Sequence, residues 1–316
     1  MRKILTKTIR FKSKILTFVF ILFTLGWISS CQSTTSENDR LNVVVTTNIF
    51  SDLVANIGGD SIQLQALMGS GVDPHLYKAS EGDVSKLVNA DIVFYGGLHL
   101  EGKMVDIFEK MKSNKITVAL GETLDKSELI ESENFGGNYD PHIWFNVGLF
   151  KELSNQVTKV LSEADEKNAE YYQTNNENYQ KELDELDIYI RKKLDELPEN
   201  QRVLITAHDA FSYLGEEYGI EVMGLQGIST TSEAGVRDVQ RLRNFIIDHQ
   251  IKAIFIENSV PRRNIEALQE AVKKEGHEVK IGGELFSDSL GNPGTEEGTY
   301  IGMFKHNINT IVEALK

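Results

Sequence analysis

One triplet of residues, Asp-Pro-His, occurs twice in this sequence, at 73–75 and at 140–142. The repeat uses scarce residues, because the whole chain has seven histidines and five prolines. Proline fixes one of its own backbone dihedral angles and disfavours helix in the residue before it, so each histidine follows a stiff, extended stretch. Imidazole is the commonest protein ligand of metal ions. The repeat therefore makes metal binding the first hypothesis.

The elements that would position these histidines alternate between strand and helix along the chain. Runs of β-branched and apolar residues predict strands, and amphipathic stretches between them predict helices. The predicted strands are 41–47, 62–68, 91–95, 116–120, 203–207, 222–225, 253–257 and 279–281, and the predicted helices are 51–57, 81–88, 210–218, 232–250, 262–275 and 298–315. Such alternation predicts an α/β fold with parallel sheets in both halves of the chain.

A different pattern lies between the halves. From Tyr172 to Leu197, apolar residues recur at spacings of three, four or seven, and no proline or glycine interrupts residues 164–197. This predicts one amphipathic helix about 45 Å long at 1.5 Å per residue. A coiled-coil arm is the alternative, but the stripe is short for a heptad pattern, which favours a connecting helix. The predicted lobes are then residues 41–163 and 198–316.

Residues 1–30 have the features of a secretory signal. Six basic side chains are followed by an uncharged apolar run, Ile15–Ile28, which is too short to span a bilayer. Cys31, the only cysteine, follows two serines and resembles the cysteine of a bacterial lipobox, which implies cleavage before Cys31 and a diacylglycerol on its sulfur. A free cysteine behind an ordinary cleaved signal is the alternative. Residues 31–40 are polar and predict a flexible tether.

The charge of the chain narrows the range of partners. Of 33 basic and 47 acidic side chains, six basic and no acidic ones lie in residues 1–30, so the remaining chain carries a net charge of −20. Nucleic acid is not expected to bind such a chain. A negative field attracts cations.

Two further candidate residues follow predicted strands. His208 comes directly after strand 203–207, and Asp288 lies shortly beyond strand 279–281. In open α/β sheets, ligands bind at the carboxyl ends of the strands. Both side chains are therefore expected at the functional edge of the second half.

Six segments carry motifs that together resemble a known family. They are 71–75 (GVDPH), 97–101 (GLHLE), 140–144 (DPHIW), 208–211 (HDAF), 224–230 (GLQGIST) and 284–291 (ELFSDSLG). These segments resemble the metal-binding receptors of bacterial manganese and zinc ABC importers, the TroA/PsaA/ZnuA group, in both order and number. The resemblance implies two small α/β lobes joined by a single long helix, with the metal in the cleft between them.

The resemblance also implies the ligands and the function. It makes His75, His142, His208 and Asp288 the metal ligands, with two from each lobe. It implies a monomer that captures Mn²⁺ or Zn²⁺, with Fe²⁺ as a further candidate, outside the cytoplasm while held to the membrane by the lipid on Cys31. The ion would pass to an ABC permease driven by a separate ATPase, since this sequence has no phosphate-binding Gly-x-x-x-x-Gly-Lys-Ser/Thr loop. A shell filled by protein ligands favours carriage over catalysis.

Two features bear on the choice of metal. Zinc-specialised members of this group often carry a histidine-rich acidic loop, whereas 124–139 is acidic, with Glu128, Glu131 and Glu133, and has no histidine. Manganese-specialised members often have glutamate at the third ligand position, where this chain has His208, as in the TroA-like branch. Manganese and zinc therefore both stay open.

Two other functions were weighed. A secreted zinc hydrolase needs an open coordination position and a general base, but the sequence lacks His-Glu-x-x-His, and its acidic candidates are Glu233 and Glu257. A surface adhesin is a third hypothesis that no residue supports. Asp73 and Asp140 are expected either to orient their histidines or only to start turns.

The remaining histidines are not expected to bind metal. His99 lies in a family-like motif at a position that the family does not use as a ligand, and it is predicted to be a buried, hydrogen-bonding side chain. His249, His277 and His306 have charged neighbours and are predicted to lie at the surface.

Overall fold

The computed structural model describes residues 40–132 and 135–316. The predicted signal peptide, Cys31, most of the predicted tether and Glu133 lie outside the described residues. Within the described ranges, no helix combines the length and the apolar character needed to cross a membrane.

The first half contains a parallel sheet of four strands in the order β2-β1-β3-β4. Its strands are β1 (Leu41–Val45), β2 (Ile62–Ala66), β3 (Ile92–Tyr95) and β4 (Ile116–Ala119), and its helices are α1 (Asn48–Gly58), α2 (Glu81–Asn89) and α3 (Val105–Met111). Helix α1 begins directly behind β1, where the Thr47 side chain accepts the N–H of Phe50 and so caps the helix. A short antiparallel pair follows, β5 (Glu131–Ser132) and β6 (Asn138–Tyr139). Loops leaving the carboxyl ends of the parallel strands share one edge of the sheet.

Two helices lie between the halves where the sequence predicted one. Helix α4 (Val147–Ala164) and helix α5 (Ala169–Leu194) pack along each other. The helix predicted for 164–197 begins later than expected, because a 3₁₀ turn at Glu166–Asn168 separates it from α4. The predicted apolar stripe of α5 is buried: Tyr172, Tyr179, Leu183, Leu186, Ile190 and Leu194. Helix α4 was not predicted, although its face Leu149, Phe150, Leu153, Val157 and Leu161 is buried.

The second half repeats the alternation with two parallel strand pairs. Strands β7 (Val203–His208) and β8 (Glu221–Gln226) form one pair, strands β9 (Ala253–Glu257) and β10 (Lys280–Leu285) form the other, and β7 lies beside β9. The helices are α6 (Ser212–Tyr218), α7 (Val236–Asp248), α8 (Arg263–Lys274) and α9 (Tyr300–Leu315).

One apolar core connects the halves through α5. This helix contacts α1 of the first half and α9 of the second. The largest cluster of buried side chains includes Phe50 of α1, Leu183 of α5 and Phe304 of α9. The predicted fold class, two parallel-sheet α/β lobes joined by a long helix, is confirmed.

A half-buried polar contact between α1 and α9 gives a prediction about stability. Asp52 Oδ2 accepts the backbone N–H of Tyr300, the first residue of α9, at 3.0 Å. Burial raises the pKa of Asp52 to about 6, the Tyr300 hydrogen bond opposes that rise, and Glu182 adds to it. Because the folded protein holds this proton more tightly than the unfolded chain, stability from this group falls as pH rises from about 4 to about 6.

Asp52→Asn is therefore expected to stabilise the metal-free protein by ~1 kcal/mol at pH 7 and by nothing at pH 4. A pKa difference of about two between the folded and unfolded states corresponds to ~3 kcal/mol, and solvent screening of this half-buried carboxylate reduces that value. The asparagine oxygen can still accept from Tyr300. Urea unfolding at both pH values measures the difference, with Asp60→Asn at an exposed position as the control. A less stable Asp52→Asn protein at pH 7 would show that the charge favours the α9 N-terminus.

Candidate metal centre

The four residues predicted as ligands lie at the ends of strands or in the loops that follow them. His208 is the last residue of β7, and Asp288 comes three residues after β10. His75 lies in the loop that leaves β2, and His142 directly precedes the 3₁₀ turn Ile143–Phe145. In each Asp-Pro-His triplet, the aspartate Oδ1 accepts the backbone N–H of its histidine, at 2.8 Å in the first and 2.9 Å in the second. The turn that proline enforces is thus closed by the aspartate.

The structure brings all four side chains together in one buried cluster. One possible ligand atom from each of His75, His142, His208 and Asp288 lies within 4.8 Å of the others. His75 is 2% exposed and the other three are fully buried. No solvent-facing side chain is part of this cluster.

The distances between the possible ligand atoms match the size of a metal coordination shell. His142 Nε2 lies 3.3 Å from His75 Nε2 and 3.4 Å from His208 Nε2. The Asp288 carboxylate lies 3.3 Å from the Nε2 atoms of both His142 and His208, and 4.0 Å from that of His75. A tetrahedron with metal–nitrogen bonds of ~2.1 Å has edges of ~3.4 Å. The cluster therefore has room for one transition-metal ion at its centre.

Carboxylates behind two of the rings aim their Nε2 atoms at this centre. Asp140 Oδ1 accepts from His142 Nδ1 at 2.6 Å. Glu257, at the end of β9, accepts the His208 backbone N–H at 2.8 Å and its Nδ1–H at 2.5 Å. A carboxylate on Nδ1 fixes the tautomer that leaves Nε2 free to bind a metal. Asp140 is thus an orienting residue, the first of the two roles that the sequence left open for it.

The sequence as a whole matches one family of proteins. The family model for zinc-uptake complex component A (ZnuA), periplasmic, matches residues 43–314. The chain belongs to the ZnuA family. This confirms the resemblance that the six sequence segments indicated.

Individual members of the ZnuA family are similar over nearly their whole length. The manganese-binding lipoprotein MntA of Bacillus subtilis (strain 168) is 46% identical over 298 residues, which cover 94% of this chain and 97% of MntA. The zinc-binding protein TroA of Treponema pallidum (strain Nichols) is 48% identical over 277 residues, which cover 86% of this chain and 88% of TroA. A solved structure of periplasmic zinc-binding TroA from Treponema pallidum matches with a TM-score of 0.86 at 47% identity, covering 87% of this chain and 99% of that one.

A more distant ZnuA-like relative carries a different metal in its name. The iron ABC transporter substrate-binding lipoprotein MtsA of Streptococcus pyogenes serotype M1 is 33% identical over 301 residues, which cover 93% of this chain and 95% of MtsA. Similarity of sequence thus extends to proteins named for manganese, zinc and iron.

The charges of this ZnuA-family centre are strongly coupled. Burial disfavours a charged His142, but Asp140 and Asp288 outweigh burial and raise its pKa to about 9. Burial likewise opposes protonation of His208, yet Glu257 and Asp288 raise its pKa well above the ordinary value. Burial opposes ionisation of Asp288, but His208 and His142 hold its pKa well below the usual range. The Asp288 carboxylate thus lies between two imidazole rings whose pKa values are raised.

His75 differs electrostatically from the other two histidines. Burial lowers the pKa of His75 to about 3, and the Asp288 carboxylate opposes this shift only in part. Its Nδ1 is buried and has no hydrogen-bond partner among the described residues. His75 is therefore a neutral imidazole whose second nitrogen is not held by any residue that the structure describes.

The structure does not bring the other histidines to the centre. His99 is exposed, and its ring lies perpendicular to that of Phe135 at a centroid distance of 6.4 Å, so its prediction as a buried side chain was wrong. Its backbone is left-handed, with φ of 65°, as is that of Leu98, with φ of 50°. Turning the chain this way buries Leu98 and points His99 outward. His249 is exposed, and His277 and His306 are partly buried near the surface.

Proposed function

We propose that the chain captures a divalent transition-metal ion outside the cytoplasm and delivers it to an ABC permease powered by a separate ATPase. His75, His142, His208 and Asp288 are the proposed ligands, and the ion is the cargo. The observation that carries the proposal is the buried cluster of three imidazoles and one carboxylate at the spacing of a coordination shell. In this proposal, residues 41–163 and 198–316 are the lobes that close on the ion, and residues 164–197 connect them.

The proposed cargo is Mn²⁺ or Zn²⁺, with Fe²⁺ as a further candidate. Imidazole nitrogen suits zinc and iron, while the carboxylate admits the harder manganese. The similarity to relatives named for manganese, zinc and iron supports the same range. Because intrinsic affinity favours Zn²⁺ over Mn²⁺ at such sites, affinity in vitro does not identify the cargo.

The surroundings of the cluster favour carriage over hydrolysis. A zinc hydrolase needs a free carboxylate or another base beside a metal-bound water. Asp140 and Glu257 lie behind the rings, where each already accepts from a histidine Nδ1. Neither can act as a base at the centre without releasing the imidazole that it orients.

We propose further that the chain is a monomer held at the outer face of the cytoplasmic membrane, or at the cell surface, by a lipid on Cys31. The lipobox-like sequence supports this location, as does the similarity to proteins named as lipoproteins. A net charge of −20 after residue 30 keeps nucleic acid an unexpected partner.

One fractionation experiment tests function and location together. The protein is purified separately from membranes and from the soluble fraction of its own host, and each sample is analysed for Mn, Fe and Zn. We expect about one ion per chain in the membrane sample. Cys31→Ala should move the chain to the soluble fraction with its metal content unchanged. Purified protein without metal, or metal retained by a chain lacking His208, would contradict the proposed function.

A further inference from the structure

The two Asp-Pro-His triplets use their aspartates differently. Asp140 accepts both the backbone N–H and the ring Nδ1–H of its own histidine. Asp73 accepts the backbone N–H of His75 through Oδ1, but its Oδ2 accepts the Thr230 hydroxyl at 2.5 Å. Thr230 lies in the loop after β8, in the second half of the chain. The first aspartate thus links the halves, and the second orients a ring.

This difference leaves the position of His75 dependent on its loop. Its ring has no partner on Nδ1 within the described residues, whereas His142 and His208 are each held from behind by a carboxylate. The loop in turn is attached to the second half at two points. The Gly71 N–H donates to Ser289 Oγ at 2.8 Å, and Asp73 accepts from Thr230.

The Thr230 contact is the more accessible of these two attachments. Ser289 is 2% exposed and its Oγ also accepts from Asn258 at 2.7 Å. Thr230 is 8% exposed, its bonded partner Asp73 is partly exposed, and the next residues, 231–233, are exposed. A hydroxyl that donates to a carboxylate makes a strong, charge-assisted bond. One strong bond near the surface therefore holds the loop that carries the least constrained imidazole.

We propose that Thr230 is a positioning residue that sets how long the metal stays bound. Its hydroxyl holds the His75 loop against the second half through Asp73, and breaking this bond is the first step of release. This inference rests on the proposed function, since it concerns the lifetime of the captured ion. A permease that engages residues 231–233 could reach this bond without touching the buried ligands.

Thr230→Val removes the hydroxyl while keeping the shape of the side chain. We expect Mn²⁺ to dissociate about tenfold faster from this variant, as loss of one hydrogen bond to a charged group predicts, with the association rate changed less than about twofold. Thr230→Ser restores the hydroxyl and should dissociate at the wild-type rate. The Mn²⁺-loaded protein is mixed with excess EDTA in a stopped-flow instrument, and the EDTA captures each ion as it dissociates. The fluorescence of Trp144, whose ring centroid lies 5.3 Å from that of His142, reports the bound ion.

Thr231→Val is the matched control, because Thr231 is exposed in the same loop and its hydroxyl pairs, within the described part of the chain, with Ser229. Its dissociation rate should equal that of the wild type. Asp73→Asn is a second route to the same bond. It keeps an oxygen for the His75 N–H but replaces the charged acceptor of Thr230. As a single substitution it should therefore accelerate Mn²⁺ dissociation, and combined with Thr230→Val it should accelerate dissociation little further.

The outcomes separate this inference from the proposed function. Tight Mn²⁺ binding with an unchanged dissociation rate in Thr230→Val would overturn the role of Thr230 and leave the function intact. Independent, multiplicative effects of Thr230→Val and Asp73→Asn would also overturn it, because the two groups would then act through different contacts. Wild-type protein that binds neither Mn²⁺ nor Zn²⁺ would overturn the function itself. If Thr230→Val lowers the urea midpoint of the metal-free protein, the test rests on Asp73→Asn.

Discussion

Alanine in place of His208 is expected to weaken metal binding by more than about a hundredfold. His208 contributes one of the three imidazoles, and its Nε2 lies 3.3 Å from the Asp288 carboxylate. Loss of a group that only orients a ligand costs ~10–100-fold in affinity, so loss of the ligand itself should cost more. Competition titrations of Mn²⁺ and Zn²⁺ against a chelator of known affinity measure the change.

The apolar side chains of the core are untouched, so the chain should still fold, but loss of the ring partner of the buried Glu257 carboxylate should lower the stability of the metal-free protein. His306→Ala is the control, since His306 is partly buried elsewhere and its Nε2 donates to the Glu284 carbonyl oxygen, outside the cluster. Its affinity for metal should match that of the wild type. Circular dichroism and urea unfolding of both variants check that the chain is folded. Wild-type affinity in folded His208→Ala protein would show that the metal binds without this side chain.

Much of the site was predictable because short, local stretches of sequence specify the positions of its residues. Each Asp-Pro-His triplet specifies its own turn through proline and through the aspartate that accepts the histidine N–H. His208 ends a strand of apolar and β-branched residues, so its place at the functional edge follows from the strand itself. The parallel sheets then bring the predicted ligands together, because the carboxyl ends of their strands lie at one edge.

The groups that support the ligands were not predictable in the same way. The sequence indicated Glu257 only as a candidate base of a hydrolase, because nothing in the local sequence shows that β9 lies beside β7. Once those strands are adjacent, the last residues of both, Glu257 and His208, meet. Thr230 likewise reaches Asp73 across 157 positions of the chain. Contacts of this kind depend on packing between elements, which no short segment encodes.

Two predictions, the extent of the helices between the halves and the burial of His99, were wrong for separate physical reasons. Helix α4 begins at Val147, only a few residues after the second triplet. The turn residues at 140–145 therefore made the sequence before α4 read as a loop, and the helix was not predicted. The prediction for His99 failed because three consecutive left-handed residues, 97–99, reverse the usual direction of the side chains. Non-glycine residues rarely adopt this conformation, and sequence patterns assume that they do not.

Under the proposed function, the buried charges account for a centre that is stable both with and without its ion. Asp288, Asp140 and Glu257 place three carboxylates around the cluster, and isolated buried charges are costly. Raised pKa values keep protons on His142 and His208 in the metal-free protein. A divalent ion that displaces these two protons leaves the net charge of the centre unchanged. The carboxylates behind the rings thus stabilise whichever cation the rings hold.

Glu257→Gln is therefore expected to weaken Mn²⁺ and Zn²⁺ binding by ~10–100-fold, the range found for residues that orient metal-bound histidines. Glu257 accepts from both the backbone N–H and the Nδ1–H of His208. A glutamine has one acceptor oxygen, so its NH₂ group would face one of these two donors. The His208 ring would lose either its tautomer or its orientation, and the ion would be bound by a less basic Nε2.

The control for this variant is Glu233→Gln, which makes the same chemical change at a side chain that is 70% exposed and pairs with Arg263. Its metal affinity should be unchanged. Asp140→Asn separates charge from contact at His142: Asp140 Oδ1 alone accepts both the backbone N–H and the Nδ1–H, so the asparagine oxygen can keep both contacts, and this variant should weaken binding less than Glu257→Gln. Chelator competition at pH 7 gives all three affinities. If Glu257→Gln binds as tightly as the wild type, packing alone holds the His208 ring, and neither the charge nor the second acceptor oxygen of Glu257 contributes to metal affinity.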